Sequence, residues 1–310
     1  MPYAKLLTKH MGRAVIMSAP QEVIFIGLFN IIDEWIRNLF TDSITSNYTR
    51  MFAHVNNEVG NIAGLVGATP FDYNSEIYNM IRTLSETVII PIAGVILTFV
   101  LCYELIQMIL EKNNMAEFDI ANIYKWMMKT FIAVFILTHT FDITMAVFDV
   151  AQHVVNSSAG IIQGSLDADV VLDDLAGYLA TLSLGELFGL WMESNILGLA
   201  MRAISLCIFI IIHGRMIEIY LTISIAPIPF STMVNREWGS IGNNYLKSLF
   251  ALGFQGFLIM VCVAIYAVLL RTSTSGDIQT SLWSAVGFTL LLCLTLFKSG
   301  SLSKAIFGAS

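Results

Sequence analysis

Long apolar runs limit the folds open to this chain more than any other feature of its sequence. Several of them reach the roughly 20 residues that an α-helix needs to cross a bilayer. Charged residues make up 13% of the 310 positions and apolar residues 56%, whereas soluble domains carry about a quarter charged residues. These observations predict a polytopic membrane protein with an all-α fold, a transmembrane helix bundle of about five crossings plus an N-terminal amphipathic helix.

The composition also argues against several functions. The net charge of −7 disfavours sustained binding of nucleic acid, which requires an electropositive surface. No Ser-His-Asp order, metal-ligand spacing or phosphate-binding glycine loop is recognisable. The cysteines lie inside apolar runs, as expected of small buried residues: Cys102, Cys207, Cys262 and Cys293. We therefore expect no enzymatic activity, no cofactor and no metal.

The N-terminal region, residues 1–86, is predicted to be extracytoplasmic and to contain one amphipathic helix. Apolar residues recur at helical spacing in Val23–Phe40, and polar residues share the opposite side. This helix could lie in the membrane interface or pack on its own bundle or a neighbouring subunit, and both readings stay open. Residues 1–20 are mildly basic and lack the continuous apolar core of a signal peptide. A crossing at 14–32 is a weak alternative, because polar residues interrupt it.

The distribution of Lys and Arg predicts the orientation of the crossings. A first transmembrane hairpin, residues 87–148, holds crossings at Thr87–Leu110 and Trp126–Phe148, and an acidic loop at 149–189 follows. No Lys or Arg occurs between residues 130 and 201. Short loops rich in Lys and Arg stay in the cytoplasm. We therefore expect the acidic loop and the N-terminus outside and the C-terminus in the cytoplasm.

The stretch Gly198–Lys247 organises the second half of the chain, a three-helix transmembrane region at 190–297. It begins as a long apolar helix and stops at Pro227 and Pro229. These prolines remove two backbone donors and disfavour helix geometry in the residues before them. A cytoplasmic connection at 227–244 is expected to lead from this exit to the next crossing.

Two topologies compete for this region. A turn at His213-Gly214-Arg215 would allow six crossings but would leave the later basic residues outside: Arg236, Lys247, Lys298 and Lys304. One long helix over 198–226 gives five crossings, with later ones at Tyr245–Leu270 and Ser281–Phe297 and a cytoplasmic tail at 298–310. We expect five, since that choice keeps the basic residues in the cytoplasm.

Ionisable side chains inside the apolar spans are candidate functional residues, because such groups are costly in lipid and usually face protein or water. Arg215 and Glu218, three apart, could form a local ion pair near the cytoplasmic boundary or part of a polar ring around a conduit. His139 and Asp142, also three apart, could form a proton relay, although such a pair more often satisfies itself. Two further candidates are Arg202, which could pair or reach the outer surface, and His213.

A second set of candidates forms a helix-exit and cytoplasmic-interface motif: Pro227, Pro229, Arg236 and Trp238. The prolines are expected to end a helix, and a gating hinge is the alternative. Trp238 could contact a partner subunit or serve as an ordinary tryptophan of the membrane interface.

These residues resemble a known family. An acidic central loop, a long helix ending in IAPIPF, and REWG before the next crossing are similar to the TrbL-like membrane subunits of conjugative type IV secretion systems. Four runs resemble the branch carried by integrative conjugative elements of Gram-positive bacteria: ETVIIPIAGVILTFVLCYELIQMILEKNNM, FDVAQHVVNSSAG, GRMIEIYLTISIAPIPFSTMVNREWG and YLKSLFALGFQGFLIMVCVAIYAVL. The shared signature, a proline at the helix exit and a tryptophan soon after, matches Pro227 and Trp238.

The resemblance implies a channel or scaffold subunit for DNA and protein transfer. It implies a homo-oligomer, a ring of five copies, in the cell membrane, with the N-terminus outside and the C-terminus in the cytoplasm. The implied partners are other secretion-system membrane subunits, separate ATPases, the lipid bilayer and, transiently, the transferred DNA. Two alternatives remain. A self-contained ion- or proton-coupled transporter would use His139, Asp142 and Arg202, and a pure scaffold would contain no aqueous path.

Overall fold

Helices make up every regular element in the part of the chain that the structure describes. The computed structural model describes residues 21–110, 120–159, 175, 177–273 and 278–309. The helices in chain order are α1 Gln21–Val66, α2 Pro70–Tyr73, α3 Ser75–Leu84, α4 Ile90–Leu110, α5 Ile120–Thr138, α6 Thr140–Ala159, α7 Leu184–Ser224, α8 Pro227–Thr232, α9 Gly239–Ser273 and α10 Ile278–Phe307. A π-helical turn, Ser85–Ile89, joins α3 to α4.

Five of these helical stretches are long and apolar enough to cross a bilayer: Ser75–Leu110, Ile120–Thr138, Leu184–Ser224, Gly239–Leu270 and Trp283–Phe307. They confirm the prediction of an all-α polytopic fold. Helix α7 runs for 41 residues without a turn at His213-Gly214-Arg215. At about 1.5 Å per residue it exceeds the roughly 30 Å hydrocarbon core. The six-crossing alternative loses its basis because the turn that it needs does not form.

The second predicted crossing, Trp126–Phe148, is divided at His139, where α5 ends and α6 begins. Side chains around the break hydrogen-bond to the carbonyls of the preceding turn. The Thr138 hydroxyl donates to Val134 O at 3.0 Å, and the Thr140 hydroxyl donates to Ile136 O at 2.8 Å. Such bonds back to the helix compete with its regular ladder and bend it. The crossing predicted as one helix at Trp126–Phe148 is thus two helices in the structure.

The chain folds into two compact units. Helices α1 and α7 each contribute residues to both of them. The first unit comprises, among described residues, 21–53 and 175–199. Its α7 begins with a capping box, in which Ser183 N donates to Glu186 Oε2 at 2.7 Å and Glu186 N faces the Ser183 hydroxyl at 3.4 Å. The Trp191 indole donates to Ser43 Oγ at 3.0 Å, and Asn47 Nδ2 donates to Ser194 Oγ at 3.1 Å. Val23–Phe40 is helical, as predicted, within the much longer α1.

The second unit, residues 54–159 and 200–309 where described, holds the larger core. Buried residues of α3, α6, α7 and α9 form one cluster: Ile81, Phe141, Met145, Phe148, Met216, Ile219, Tyr220, Ile223, Leu249 and Leu252. Gly253 lets α9 approach α6 closely, since a Cβ there would lie 3.2 Å from Ala151 Cβ. This contact places Gly253 on a packing face of α9.

The chain leaves the long helix just before the two prolines. Helix α7 ends at Ser224, and α8 starts with Pro227 in its first turn, where a missing donor costs least. Pro227 and Pro229 are both buried, so this connection is not a solvated loop. Residues 298–307 are not a separate tail either, because α10 continues through them and Ser303 Oγ donates to Ala251 O at 2.5 Å.

Replacing Gly242 by Ala should destabilise the second unit. An added Cβ would lie 2.5 Å from Pro229 O and collide with the Met233 side chain. Overpacking of this kind costs about 1–3 kcal/mol, to be measured by thermal unfolding of the detergent-purified protein. Gly287→Ala is the matched control, since nothing lies within 4 Å of a Cβ at that position. Equal melting temperatures for the two variants would contradict the close approach of α8 and α9.

Candidate functional site

The segment after α8 is a tight turn organised by one buried amide, Asn235. Its side chain is 1% exposed. Its Oδ1 accepts hydrogen bonds from the backbone N–H groups of Glu237, at 2.7 Å, and Trp238, at 3.2 Å. Its Nδ2 donates to Glu104 Oε2 at 3.2 Å. Asn235 therefore both shapes the turn and attaches it to α4.

Glu104 is the centre of a polar cluster that links three elements. Its other oxygen, Oε1, accepts from Lys129 Nζ of α5 at 2.7 Å. The Glu104 side chain is only 16% exposed, and a carboxylate so placed requires partners for its charge. Lys129 and Asn235 supply them, so the pair joins the α4–α5 hairpin to the turn. We call Glu104, Lys129 and Asn235 the Glu104 cluster.

Trp238 and Glu237 fasten the same turn to the outer face of α4. The Trp238 ring stacks on Phe99 and Tyr103, with centroids 5.7 and 5.2 Å apart and planes within 12°. Glu237 accepts from the Tyr103 hydroxyl at 3.1 Å and from Gln107 Nε2 at 2.9 Å. Stacked pairs of this kind add about 0.5–1.5 kcal/mol beyond their burial. Trp238 is thus engaged within its own chain.

A cavity of about 290 Å³ adjoins the Glu104 cluster. It is lined by Glu104, Gln107, Met108, Asn122, Lys125, Trp126, Lys129 and Arg236. Lys125 and Arg236 are exposed, while Glu104 and Lys129 neutralise each other. Counted over its lining residues, the cavity therefore carries two net positive charges, those of Lys125 and Arg236.

A second cavity, of about 350 Å³, lies between α7, α9 and α10, and we call it the Arg215 cavity. It is lined by Ile210, Ile211, Gly214, Arg215, Glu218, Ala251, Leu252, Gln255, Leu296, Phe297, Gly300, Ser301 and Lys304. Arg215 is 7% exposed, and its buried Nε has no hydrogen-bond partner. A Cβ at Gly256 would lie 2.8 Å from its Nη2, so the absence of a side chain there makes room for the guanidinium.

The predicted ion pair of Arg215 with Glu218 does not form within the described residues. Glu218 instead accepts from Lys304 Nζ of α10 at 3.3 Å, and both side chains are half exposed. A spacing of three residues along a helix allows two side chains to pair. Here, however, Arg215 is buried in the bundle and Glu218 is exposed. The rotation of the helix between the two positions separates the guanidinium from the carboxylate.

His139 and Asp142 are not brought together either. His139 Nδ1 lies 3.0 Å from Phe135 O, and its ring stacks on the Phe135 ring. Asp142 faces Arg82 at 3.7 Å, and Arg82 also pairs with Glu86 at 2.8 Å. The hypothesis of a direct relay between His139 and Asp142 was therefore wrong, since each side chain has another neighbour.

The remaining candidates lie apart from these clusters. Arg202 is exposed on α7. His213 faces its own helix, with Nδ1 3.0 Å from Phe209 O, and its ring meets Tyr73 edge-on at 5.9 Å. In the described ranges no three His, Cys, Asp or Glu side chains lie where they could hold a metal ion.

Sequence reasoning did not select the partners that complete these sites: Arg82, Glu104, Lys129, Asn235, Gln255 and Lys304. Each is an ionisable or amide side chain in or beside an apolar span. The candidate residues named from the sequence were chosen for nearly the same property, an ionisable side chain inside an apolar span. Their pairings join positions 25 to 131 residues apart. No spacing rule along one helix predicts such contacts.

A family model for TrbL/VirB6 plasmid conjugal transfer like protein matches residues 55–227. The chain belongs to this TrbL/VirB6 family. The match includes the candidate functional residues between His139 and Glu218 and ends at Pro227. Pro229, Arg236 and Trp238 therefore lie beyond it. No curated protein and no solved structure matches the chain.

Membership of the TrbL/VirB6 family establishes what kind of component this is. Together with five apolar spans, it makes the chain a multi-pass membrane protein of conjugal transfer, that is, of a type IV secretion system. The resemblance identified from the sequence is thereby confirmed at the level of the family.

Replacing Asn235 by Ala should loosen the turn on α4. The change leaves two backbone donors and a carboxylate oxygen of Glu104 without their partner, and a buried unsatisfied group costs about 1–3 kcal/mol. Thermal unfolding of the purified protein measures the loss. The neighbouring Arg236→Ala changes an exposed side chain and should leave the melting temperature nearly unchanged. If both variants melt like the wild type, Asn235 does not hold this turn.

Proposed function

We propose that this TrbL/VirB6-family protein is the membrane-embedded channel or scaffold subunit of a conjugative type IV secretion machine. The family match over residues 55–227 carries the proposal, and the five apolar spans support it. By the resemblance of its sequence, the protein belongs to the branch found in integrative conjugative elements of Gram-positive bacteria. Its role is passive, since energy for transfer comes from partner ATPases.

Several copies assemble in this proposal, with a ring of five as the expected form. The spans leave large apolar side chains exposed, among them Phe131 and Phe135 on α5 and Phe209 on α7. Such surfaces require lipid or other helices as neighbours. The subunit alone therefore offers ample surface for copies of itself and for other membrane subunits.

The polar clusters bear on whether the assembly is a conduit or a platform. Glu104 with Lys129 and Glu218 with Lys304 are each neutralised inside one chain, and Asp142 shares Arg82 with Glu86. That arrangement favours a platform that holds partner subunits. The Glu218–Lys304 pair is half exposed beside the Arg215 cavity, which supports α7 and α10 as the helices that would face a conduit.

The proposed orientation follows from the charge distribution. The N-terminal region and the acidic loop at 149–189 lie outside, and the connection and C-terminus lie inside. Lys125 and Arg236, exposed at one cavity, then face the cytoplasm, where the ATPases work. The transporter alternative has no structural observation in its favour, because His139 and Asp142 contact other groups.

Deletion of the whole chain should abolish conjugal transfer from a donor cell. A membrane subunit of the machine is required in the donor, so complementation with the intact chain should restore the mating frequency. Export of unrelated proteins and donor growth serve as controls. Transfer at wild-type frequency by the deletion strain would contradict the proposed function.

Charge reversal at the half-exposed pair tests the conduit form of the proposal. Glu218→Lys and Lys304→Glu should each lower mating frequency several-fold while the purified assembly keeps its mass, because each reversal changes the charge beside the cavity. Lys298→Glu, an exposed reversal on the same helix, is the control.

The double variant Glu218→Lys/Lys304→Glu separates two explanations of any loss. Restored assembly and restored transfer assign the pair a structural role within the subunit and favour the platform. Normal transfer by both single reversals would contradict a conduit at α7 and α10.

A further inference from the structure

We propose that the Arg215 cavity binds the headgroup of an anionic phospholipid, with its acyl chains lying along α7 and α10. The cavity lies wholly within the second unit and is bounded by three apolar helices. The proposal does not depend on the role of the protein in transfer. It rests on an uncompensated buried charge, on the direction in which the cavity lining changes polarity, and on the exposure of its apolar end.

Arg215 carries a positive charge for which the residues that the structure describes supply no anionic partner. The side chain is 7% exposed and buried between helices. No acid lies within ion-pair distance of it in the described ranges, and its Nε makes no hydrogen bond. Burying an unpaired ion costs several kcal/mol in general. A ligand that brings a negative charge into the cavity would remove that penalty.

The other charges at the cavity do not cancel Arg215. Glu218 lines the same cavity as Arg215, but its carboxylate accepts a hydrogen bond from Lys304 Nζ. Counting Arg215, Lys304 and Glu218, the cavity keeps one net positive charge. A phosphate diester with one negative charge matches it, and a zwitterionic headgroup does not.

The lining changes from apolar to polar in the same direction on two helices. On α7 it passes from Ile210 and Ile211 to Gly214, Arg215 and Glu218. On α10 it passes from Leu296 and Phe297 to Gly300, Ser301 and Lys304. Both series run toward the C-terminal ends of their helices. A lipid, with a charged head and apolar chains, has this same polarity along its length.

The α9 side of the cavity holds a further polar group. Gln255 of α9 is 7% exposed, and its Nε2 donates to Ser299 Oγ at 3.2 Å. Gln255 and Arg215 line the same cavity, and Gln255 packs closely on α10, where a Cβ at Gly300 would lie 3.2 Å from its Nε2. The amide and Ser301 provide hydrogen-bonding groups for a glycerol or phosphate oxygen.

A lipid fits better than a free phosphate because the apolar end is open. Phe297 is 76% exposed and Ile210 59% exposed, so acyl chains can leave the cavity along these side chains. Basic pockets between transmembrane helices are a known form of anionic headgroup site. A small inorganic anion would leave this apolar surface uncovered.

Native mass spectrometry of the full-length protein, with thermal unfolding in parallel, tests the site. The probes are phosphatidylglycerol, phosphatidylethanolamine with the same acyl chains, and inorganic phosphate alone. We expect wild type to retain phosphatidylglycerol and to be stabilised by it more than by phosphatidylethanolamine. Arg215→Gln should weaken retention of the anionic lipid by about tenfold, as for loss of one charge-assisted contact. Arg202→Gln, the same change at an exposed position of α7, should keep the wild-type preference.

If Arg215→Gln does not purify as a folded protein, Lys304→Gln and Ser301→Leu replace it in the test. Lys304→Gln removes a cation at the mouth of the cavity, and Ser301→Leu fills the mouth with a larger side chain. Equal retention of the two lipids by wild type would overturn the proposal. Stabilisation by inorganic phosphate equal to that by phosphatidylglycerol would assign the cavity to a free anion instead. If the wild type has the mass of two or more copies without lipid, and Arg215→Gln loses this oligomer, the cavity would be assigned to an acidic segment of a second copy.

Discussion

A charged or amide side chain inside an apolar helix bundle must find a partner there, and the second unit is arranged around this requirement. Desolvation makes an unpaired group expensive, and neighbouring helices must supply what water cannot. The Glu104 cluster satisfies it by joining α4, α5 and the turn after α8 through one carboxylate. The Trp238 stack then covers the outer side of the same turn. One polar contact thus determines where the chain goes after the long helix α7.

The Arg215 cavity is the contrasting case. Its guanidinium has room because Gly256 lacks a side chain, but no acid among the described residues pairs with it. Glu218, three residues away, turns outward to Lys304. Two basic groups and one acid therefore share a space that opens toward exposed apolar side chains. A membrane protein of a transfer machine meets lipids and other subunits on such surfaces, which makes this the place where a neighbour can supply the missing charge.

Much of the fold could be predicted because hydropathy and helix-breaking residues act locally. The five spans, the helix exit at Pro227 and the packing glycine at Gly253 each follow from a short stretch of sequence. The break at His139 was missed, although Thr138 and Thr140 flank it. Thr130 and Thr144 make the same bonds inside continuous helices, so a threonine in the sequence does not by itself predict a break.

The sequence by itself determined the class of protein, the number of apolar spans and the family, because length, hydropathy and short motifs suffice for these. It also showed which ionisable side chains lie inside apolar spans. Tertiary structure alone decided which of them meet: Glu218 with Lys304, Asp142 with Arg82, and Arg215 with no acid in the part of the chain that the structure describes. The reason is physical, since a partner is chosen by the rotation and packing of whole helices, and residues far apart in the chain become neighbours only then.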